Sequence, residues 1–284
     1  MKTQRQTCIR TLLYVSVLMT TLGCAHQHAL TRPEPLVAPQ AGTEVVAELT
    51  AKDILMGMAE FLAKTPRFSV NLESSYEVLQ ESGQKIEFGE SRKVIVSRPN
   101  GLRVEVEHSD GEQHLVQYDG KEITVFSPSK NVYAQTSKPG GIDEAIRYFL
   151  RDLGMRLPLA MLLTSQFPTE LDRRTQELDY VESTVIDGVL THHLAGRTET
   201  VDYQVWIADD VQPLPLRIVL TYKNAEGQPA YRAQFSNWNL TPEVKDSLFA
   251  FTPPKGGQRI SFAAELPKIA AERLTNPAKT GGRK

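Results

Sequence analysis

Hydrophobic and polar positions along this chain follow first a period near 3.6 residues and then, for most of its length, a period of two. From Thr50 to Lys64 the apolar residues Ile54, Leu55, Met58, Phe61 and Leu62 fall on one stripe, with Thr50 placed to cap it, Asp53 in the first turn and Pro66 ending the run. A helix is predicted there. Beyond it Phe68, Val70 and Leu72 alternate with Ser69, Asn71 and Glu73, and Leu102, Val104 and Val106 alternate with Arg103, Glu105 and Glu107. Strands with one buried and one wet face read this way. Turn chemistry recurs between such runs, at Ser82-Gly83, Pro99-Asn100-Gly101, Asp110-Gly111, Asp119-Gly120 and Pro128 to Asn131, so neighbouring strands join as hairpins in a meander.

The alternation is interrupted once. Ile142, Ala145, Ile146, Phe149, Leu150 and Leu153 follow helical spacing, Gly154 is placed as a left-handed C-cap, and Pro158 suits the first turn of a second short helix carrying Leu159, Leu162 and Leu163. Strands resume near Leu178, turn at Asp187-Gly188, and continue through the turn at Asn224 to Gly227 into Tyr231 to Leu240. Roughly ten to twelve strands are more than a flat open sheet carries without curling or closing. The fold class that follows is mainly β (α+β): an incomplete, strongly curved antiparallel β-barrel with helices covering its concave face. Whatever space those helices leave is the candidate pocket.

The two ends read differently from the middle. Lys2, Arg5 and Arg10 precede an apolar run from Leu12 to Leu22, the layout of an export signal and too short for a spanning helix. Leu22-Gly23-Cys24 resembles the bacterial lipobox. Cys8 is lost with the leader, which leaves Cys24 as the one cysteine of the mature chain, and acylation of that thiol gives it a purpose. Several acyl chains, each contributing about 0.8 kcal/mol per buried CH₂, hold a protein on a bilayer without a spanning segment. The expected organisation is a signal peptide over 1–23, a flexible tether with Pro33, Pro35 and Pro39 over 24–43, a folded domain over 44–262, and a basic tail over 263–284.

Net charge is −2 for the full chain and −5 once the three leader cations are removed, which speaks against a nucleic-acid partner. Of the six histidines, His26 and His28 fall in the tether, His108 and His114 flank the turn at Asp110-Gly111, and adjacent His192 and His193 point to opposite faces of a strand. That spacing assembles no metal site, and no cofactor is implied. The chain contains no Gly-x-Ser-x-Gly elbow, His-Glu-x-x-His helix or phosphate-binding loop, and no catalytic residue is assigned. The carboxylates of Glu170 and Asp172 read as a solvated helix end rather than an acid–base pair. Trp206 and Trp238, with Tyr203, Tyr222, Tyr231 and Phe235, form either an aromatic ligand platform or ordinary β-core packing.

Several short motifs carry a resemblance: Tyr118-Asp119-Gly120-Lys121, Lys130-Asn131-Val132-Tyr133-Ala134, Ile142-Asp143-Glu144-Ala145, Leu157-Pro158-Leu159-Ala160, Ser236-Asn237-Trp238-Asn239-Leu240, and Phe249-x-Phe251-Thr252-Pro253-Pro254. Over roughly Thr50 to Phe262 they resemble a family of predicted periplasmic proteins, domain of unknown function 2092. That family in turn is similar to the superfamily of LolA and LolB, the carrier and receptor of outer-membrane lipoproteins. The resemblance implies an incomplete antiparallel barrel, its mouth covered by helices, with an apolar cavity between them.

The expectation is therefore a non-enzymatic lipoprotein of the cell envelope. Acylated Cys24 holds it to a membrane, facing the periplasm, and the absence of Asp after that cysteine favours the outer over the inner membrane. Its half-barrel cavity takes a lipid, an acyl chain or a lipoprotein, with Ile146, Phe149, Leu162, Trp206 and Trp238 as candidate ligand contacts. The alternative is an envelope protein-interaction or sensory module with a filled interior and a functional surface or sheet edge.

Overall fold

The computed structural model describes residues 49–152 and 157–262. The leader, Cys24, the tether, the basic tail and the expected cap at Gly154 lie outside them. Contacts divide the chain into Met1–Val46 and Ala47–Lys284, and every described element belongs to the second unit.

Helix α1 (Ala51–Lys64) forms where the apolar stripe requires it. Thr50 Oγ1 accepts from the Asp53 amide at 3.1 Å while the Asp53 carboxylate accepts from the Thr50 amide at 3.0 Å, a reciprocal cap that satisfies donors the first turn leaves open. Ile54, Leu55, Met58, Ala59 and Leu62 are buried.

The strands are β1 (Arg67–Leu79), β2 (Lys85–Ser97), β3 (Gly101–His108), β4 (Gln113–Tyr118), β5 (Glu122–Ser127) and β6 (Val132–Ser137), followed after the helical interruption by β7 (Glu177–Ile186), β8 (Val189–Arg197), β9 (Val201–Ala208), β10 (Pro215–Tyr222), β11 (Ala230–Asn239) and β12 (Gln258–Ile260). They make one twelve-stranded sheet in the order β12-β6-β5-β4-β3-β2-β1-β11-β10-β9-β8-β7. Long β1 is the spine, paired with β2 on one side and β11 on the other. The end strands β12 and β7 do not pair with each other, so the barrel is open as expected. One pairing departs from the antiparallel expectation: β12 runs parallel to β6. It reaches that edge from the far side of the spine, through the segment after β11, rather than by a hairpin, and only a hairpin enforces the antiparallel sense.

Topology explains why helices cover the concave face. Strand β6 lies near one edge of the sheet and β7 forms the other, so the chain between them must cross the mouth. It does so as α2 (Ile142–Arg147), a π-helical turn (Tyr148–Asp152), a 3₁₀ turn (Ala160–Leu163) and α3 (Phe167–Arg174). The helix expected over 142–153 thus stays α-helical only to Arg147 and then widens. The second expected helix is a single 3₁₀ turn. Leu159, with φ of 66°, sits in the left-handed region between Pro158 and that turn, and this breaks α-helical continuity after the proline.

Local chemistry also fixes the far limb. Asp187 and Gly188 both have positive φ, 50° and 81°, as a two-residue hairpin turn of the primed type needs. Gly196 on β8 lies opposite Tyr203 on β9, whose ring covers the glycine where a Cβ would otherwise stand. The Tyr203 hydroxyl reaches Thr175 Oγ1 at 2.8 Å and so fastens the end of α3 to the sheet.

A divided apolar cavity beneath the crossing helices

Inward-facing positions of the sheet and the underside of the crossing segment enclose two spaces. The first, about 220 Å³, lies over β1 to β5 and β11. Its floor includes Val70, Val94, Val104, Val106, Val116 and Val125, and its roof includes Ile146, Phe149 and Leu162. The second, about 550 Å³, lies between α1, α3 and strands β9 and β10, with Met58, Phe167, Leu171 and Ile218 among its walls and Arg173 and Arg174 at its edge. Leu157, Pro158, Leu159 and Leu162 border both, so one stretch of the crossing segment divides the concave side. A larger groove of about 700 Å³ is lined mainly by charged and hydroxyl residues such as Glu73, Ser91, Arg217 and Arg232.

Four of the five residues singled out from sequence border the smaller cavity: Ile146, Phe149, Leu162 and Trp238. Phe149 is buried and meets Tyr148 and Phe262 edge-on or tilted, with ring centroids 6.3 Å away in each case. Trp238 lies 5.8 Å from Phe235 and 5.6 Å from Phe68, and its indole N–H donates to the Pro215 carbonyl at 3.1 Å. A bulge brings it inward. The β1–β11 register shifts between Ser69 and Asn71, and Asn237 takes φ of 53°, so the extra residue reverses parity and Phe235 and Trp238 share a face.

Trp206 is not part of this cavity. Tyr203, Val205 and Ile207 are buried at alternate positions of β9, so the alternation turns Trp206 to the opposite face. There it stacks on His193, at 4.0 Å and 10° between planes, with the Arg217 guanidinium 5.0 Å from its ring. Strand parity decides against it.

The crossing segment is held in place by Arg98. Its Nη1 donates to the Leu163 carbonyl at 2.6 Å, Nε to Thr65 at 3.1 Å and Nη2 to Leu62 at 3.3 Å. One guanidinium therefore satisfies carbonyls at the end of α1 and at the end of the 3₁₀ turn, groups that helices leave without internal partners. Burial holds its pKa below the usual value, opposed by Asp143.

The far end of the smaller cavity is polar. Glu90, Arg92, His108 and His114 all line it. Glu90 is 5% exposed, His108 9% and His114 6%. Arg92 Nη2 pairs with Glu90 at 2.5 Å, Ser74 Oγ donates to Glu90 at 3.3 Å, His108 Nδ1 lies 3.6 Å from Glu90, and the two imidazoles stand 5.5 Å apart. Burial disfavours the Arg92 charge, and Tyr231 and Glu90 more than restore it, so its pKa is raised. Sequence reading passed over this cluster. The signal was parity: Glu90 and Arg92 are in phase with buried Val94 and Val96, and His108 with Leu102, Val104 and Val106. Ser74 serves Glu90 rather than an imidazole, which is not the order of a nucleophile–imidazole–carboxylate relay. Among the described residues no three His, Cys, Asp or Glu side chains converge as metal ligands, and no helix is long and apolar enough to cross a membrane.

An open, strongly curved sheet with an apolar space under a helical crossing defines a half-barrel with a candidate pocket on its concave side. The chain belongs to the family described as predicted periplasmic protein (DUF2092), whose model matches residues 51–263. Among solved structures it is similar to the lipoprotein LppX of Mycobacterium tuberculosis, at 17% identity and a TM-score of 0.44 over 69% of this chain and 98% of that one. It is also similar to MucB, at 18% identity and 0.41 over 71% and 62% of the two chains. A LolA superfamily protein from Nitrosomonas europaea aligns at 14% identity and 0.33 over 72% and 99%. No curated protein matches the chain.

Proposed function

We propose that this protein is a membrane-anchored periplasmic lipoprotein that binds an apolar ligand, a lipid, an acyl chain or the acyl end of a lipoprotein, in the cavity beneath its crossing helices. The observation that carries the reading is the valine-floored space of about 220 Å³, which shares Leu157, Pro158, Leu159 and Leu162 as a wall with a second of about 550 Å³. The smaller space alone exceeds the roughly 150 Å³ of an engineered apolar cavity that takes up benzene. At about 25 cal/mol per Å², burying several hundred Å² of acyl chain supplies on the order of 5–10 kcal/mol before the costs of association. Ile146, Phe149, Leu162 and Trp238 are the proposed contacts. Mass spectrometry of organic extracts from the purified protein tests this, and extracts free of any stoichiometric apolar compound, with no uptake of added lipid, would reject it.

Anchoring through Cys24, and the outer membrane as its site, belong to the same proposal. Cys24→Ser is expected to abolish incorporation of a palmitate analogue and to release the protein from membranes, and label retained in the variant would overturn the assignment. One observation favours a second reading, a protein-interaction module. Edge strand β7 and its partner β8 leave Tyr180, Val181, Val185, Val189 and Leu190 exposed, and an exposed apolar edge is a template for a partner strand.

A further inference from the structure

Resting on the cavity reading above, we infer that the ligand of the smaller cavity is a single-chain amphiphile with a carboxylate head, a free fatty acid, whose head is held at Arg92 beside His108 and His114. The cavity is polarised along the strands. On β3 the lining runs from Leu102 through Val104 and Val106 to His108, and on β2 from Val94 to Arg92 and Glu90. From Leu102 to Val106, which pairs with Arg92, four steps at about 3.3 Å each make an apolar path of about 13 Å that ends in charge. A space of about 220 Å³ drawn out over that length is narrow. It has room for one extended chain.

The polar end is built for an acceptor. Arg92 offers five N–H donors in a fixed fork, and Glu90 engages Nη2. Arg92 Nε is shielded from solvent and has no hydrogen-bond partner among the described residues, and a buried donor left so carries a cost that an incoming acceptor removes. Carboxylate matches a guanidinium edge with charge-assisted bonds about twice as strong as neutral ones, whereas a hydroxyl or ester presents a weaker acceptor. Glu90 contributes the compensating negative charge that keeps Arg92 ionised in the empty state. Apolar length and the carboxylate head are thus read by different parts of one cavity.

The test is calorimetric titration of the delipidated full chain with dodecanoate and with dodecanol. Wild type is expected to bind the acid at least tenfold more tightly than the alcohol. Arg92→Met is expected to lose that preference while keeping its affinity for the alcohol. Because this variant strands Glu90 without its partner, the double variant Glu90→Gln/Arg92→Met is measured in parallel, and circular dichroism establishes that each is folded. Equal affinity for acid and alcohol in wild type, or an acid preference that survives in the folded double variant, would overturn the head-group assignment and leave the cavity reading standing. Binding of neither probe would overturn both.

Discussion

Truncating Phe149 separates a cavity roof from a solid core. The ring is 6% exposed, rests against Tyr148 and Phe262, and turns another side to the cavity of about 220 Å³. A phenylalanine enclosed on all sides costs about 3–5 kcal/mol when cut to alanine, because lost transfer energy and a new void add together. Here part of the ring already lacks partner atoms, and the new void merges with an existing one. The expected loss for Phe149→Ala is therefore about 2–3 kcal/mol in ligand-free protein. For a domain of this size each kcal/mol lowers the melting temperature by roughly 2–4 °C. Urea titration of delipidated protein gives the stability, and extraction of the variant purified from cells gives the bound lipid. Stability loss above about 4 kcal/mol with lipid unchanged would mean a dry core contact, and no change in either would remove Phe149 from the roof.

Three further substitutions probe how the cavity is framed. Arg98→Met leaves three carbonyls, of Leu62, Thr65 and Leu163, without their donor; with water replacing part of the loss, the expected cost is about 2–4 kcal/mol, and faster amide exchange should appear first in residues 160–163. Gly196→Ala places a methyl inside the Tyr203 ring and should cost about 1–3 kcal/mol as an overpacking change, with Tyr203 fluorescence reporting the displaced ring. Glu77 tests pH linkage: desolvation pushes its carboxyl up, but Lys85, Arg232 and the Ala230 amide outweigh it and hold the pKa at about 2 rather than 4.5. A lowered folded-state pKa stabilises above the unfolded value, so this contribution, with a ceiling of about 3 kcal/mol, is full above about pH 4.5 and vanishes as pH falls toward 2; Glu77→Gln should flatten that stretch of the stability curve, and an unchanged slope would refute the linkage.

What the sequence made legible follows from how local each determinant is. Helix α1 was readable because its stripe, cap and stop all lie within one stretch of chain, and the structure places Thr50 and Asp53 in the reciprocal bonds their spacing implies. Paired strands were readable for the same reason, since Asp110-Gly111 or Asp187-Gly188 fixes a hairpin by itself. The parallel docking of β12 on β6 depends on where two distant edges meet, and no residue within Gln258–Ile260 announces it. The two tryptophans show the same limit: simple alternation turns Trp206 away from the cavity, but placing Trp238 in it requires knowing of the bulge at Asn237. The buried charges of Glu90 and Arg92 were legible in principle. Charged residues in phase with a buried stripe are the informative exception to hydrophobic patterning, and they mark the polar end of the site.

Why this fold keeps a space at all can be argued from side-chain reach. The floor is valine at Val70, Val94, Val104, Val106, Val116 and Val125, a residue favoured on strands, short, and stiff at χ1. None of these can extend to meet a roof held at fixed height by Arg98 below and by the Phe149–Phe262 contact beside it. Leucine or phenylalanine at two or three of them would fill the gap. At about 24 cal/mol per Å³ of enclosed void, about 220 Å³ left unfilled sets a ceiling of about 5 kcal/mol on what the fold forgoes, the space being partly open to solvent. That is comparable with the whole net stability of many domains, about 5–15 kcal/mol. On the proposed function, a bound chain would recover this term and stabilise the folded state in proportion to the logarithm of its concentration, so the same six valines would couple the stability of the fold to that ligand.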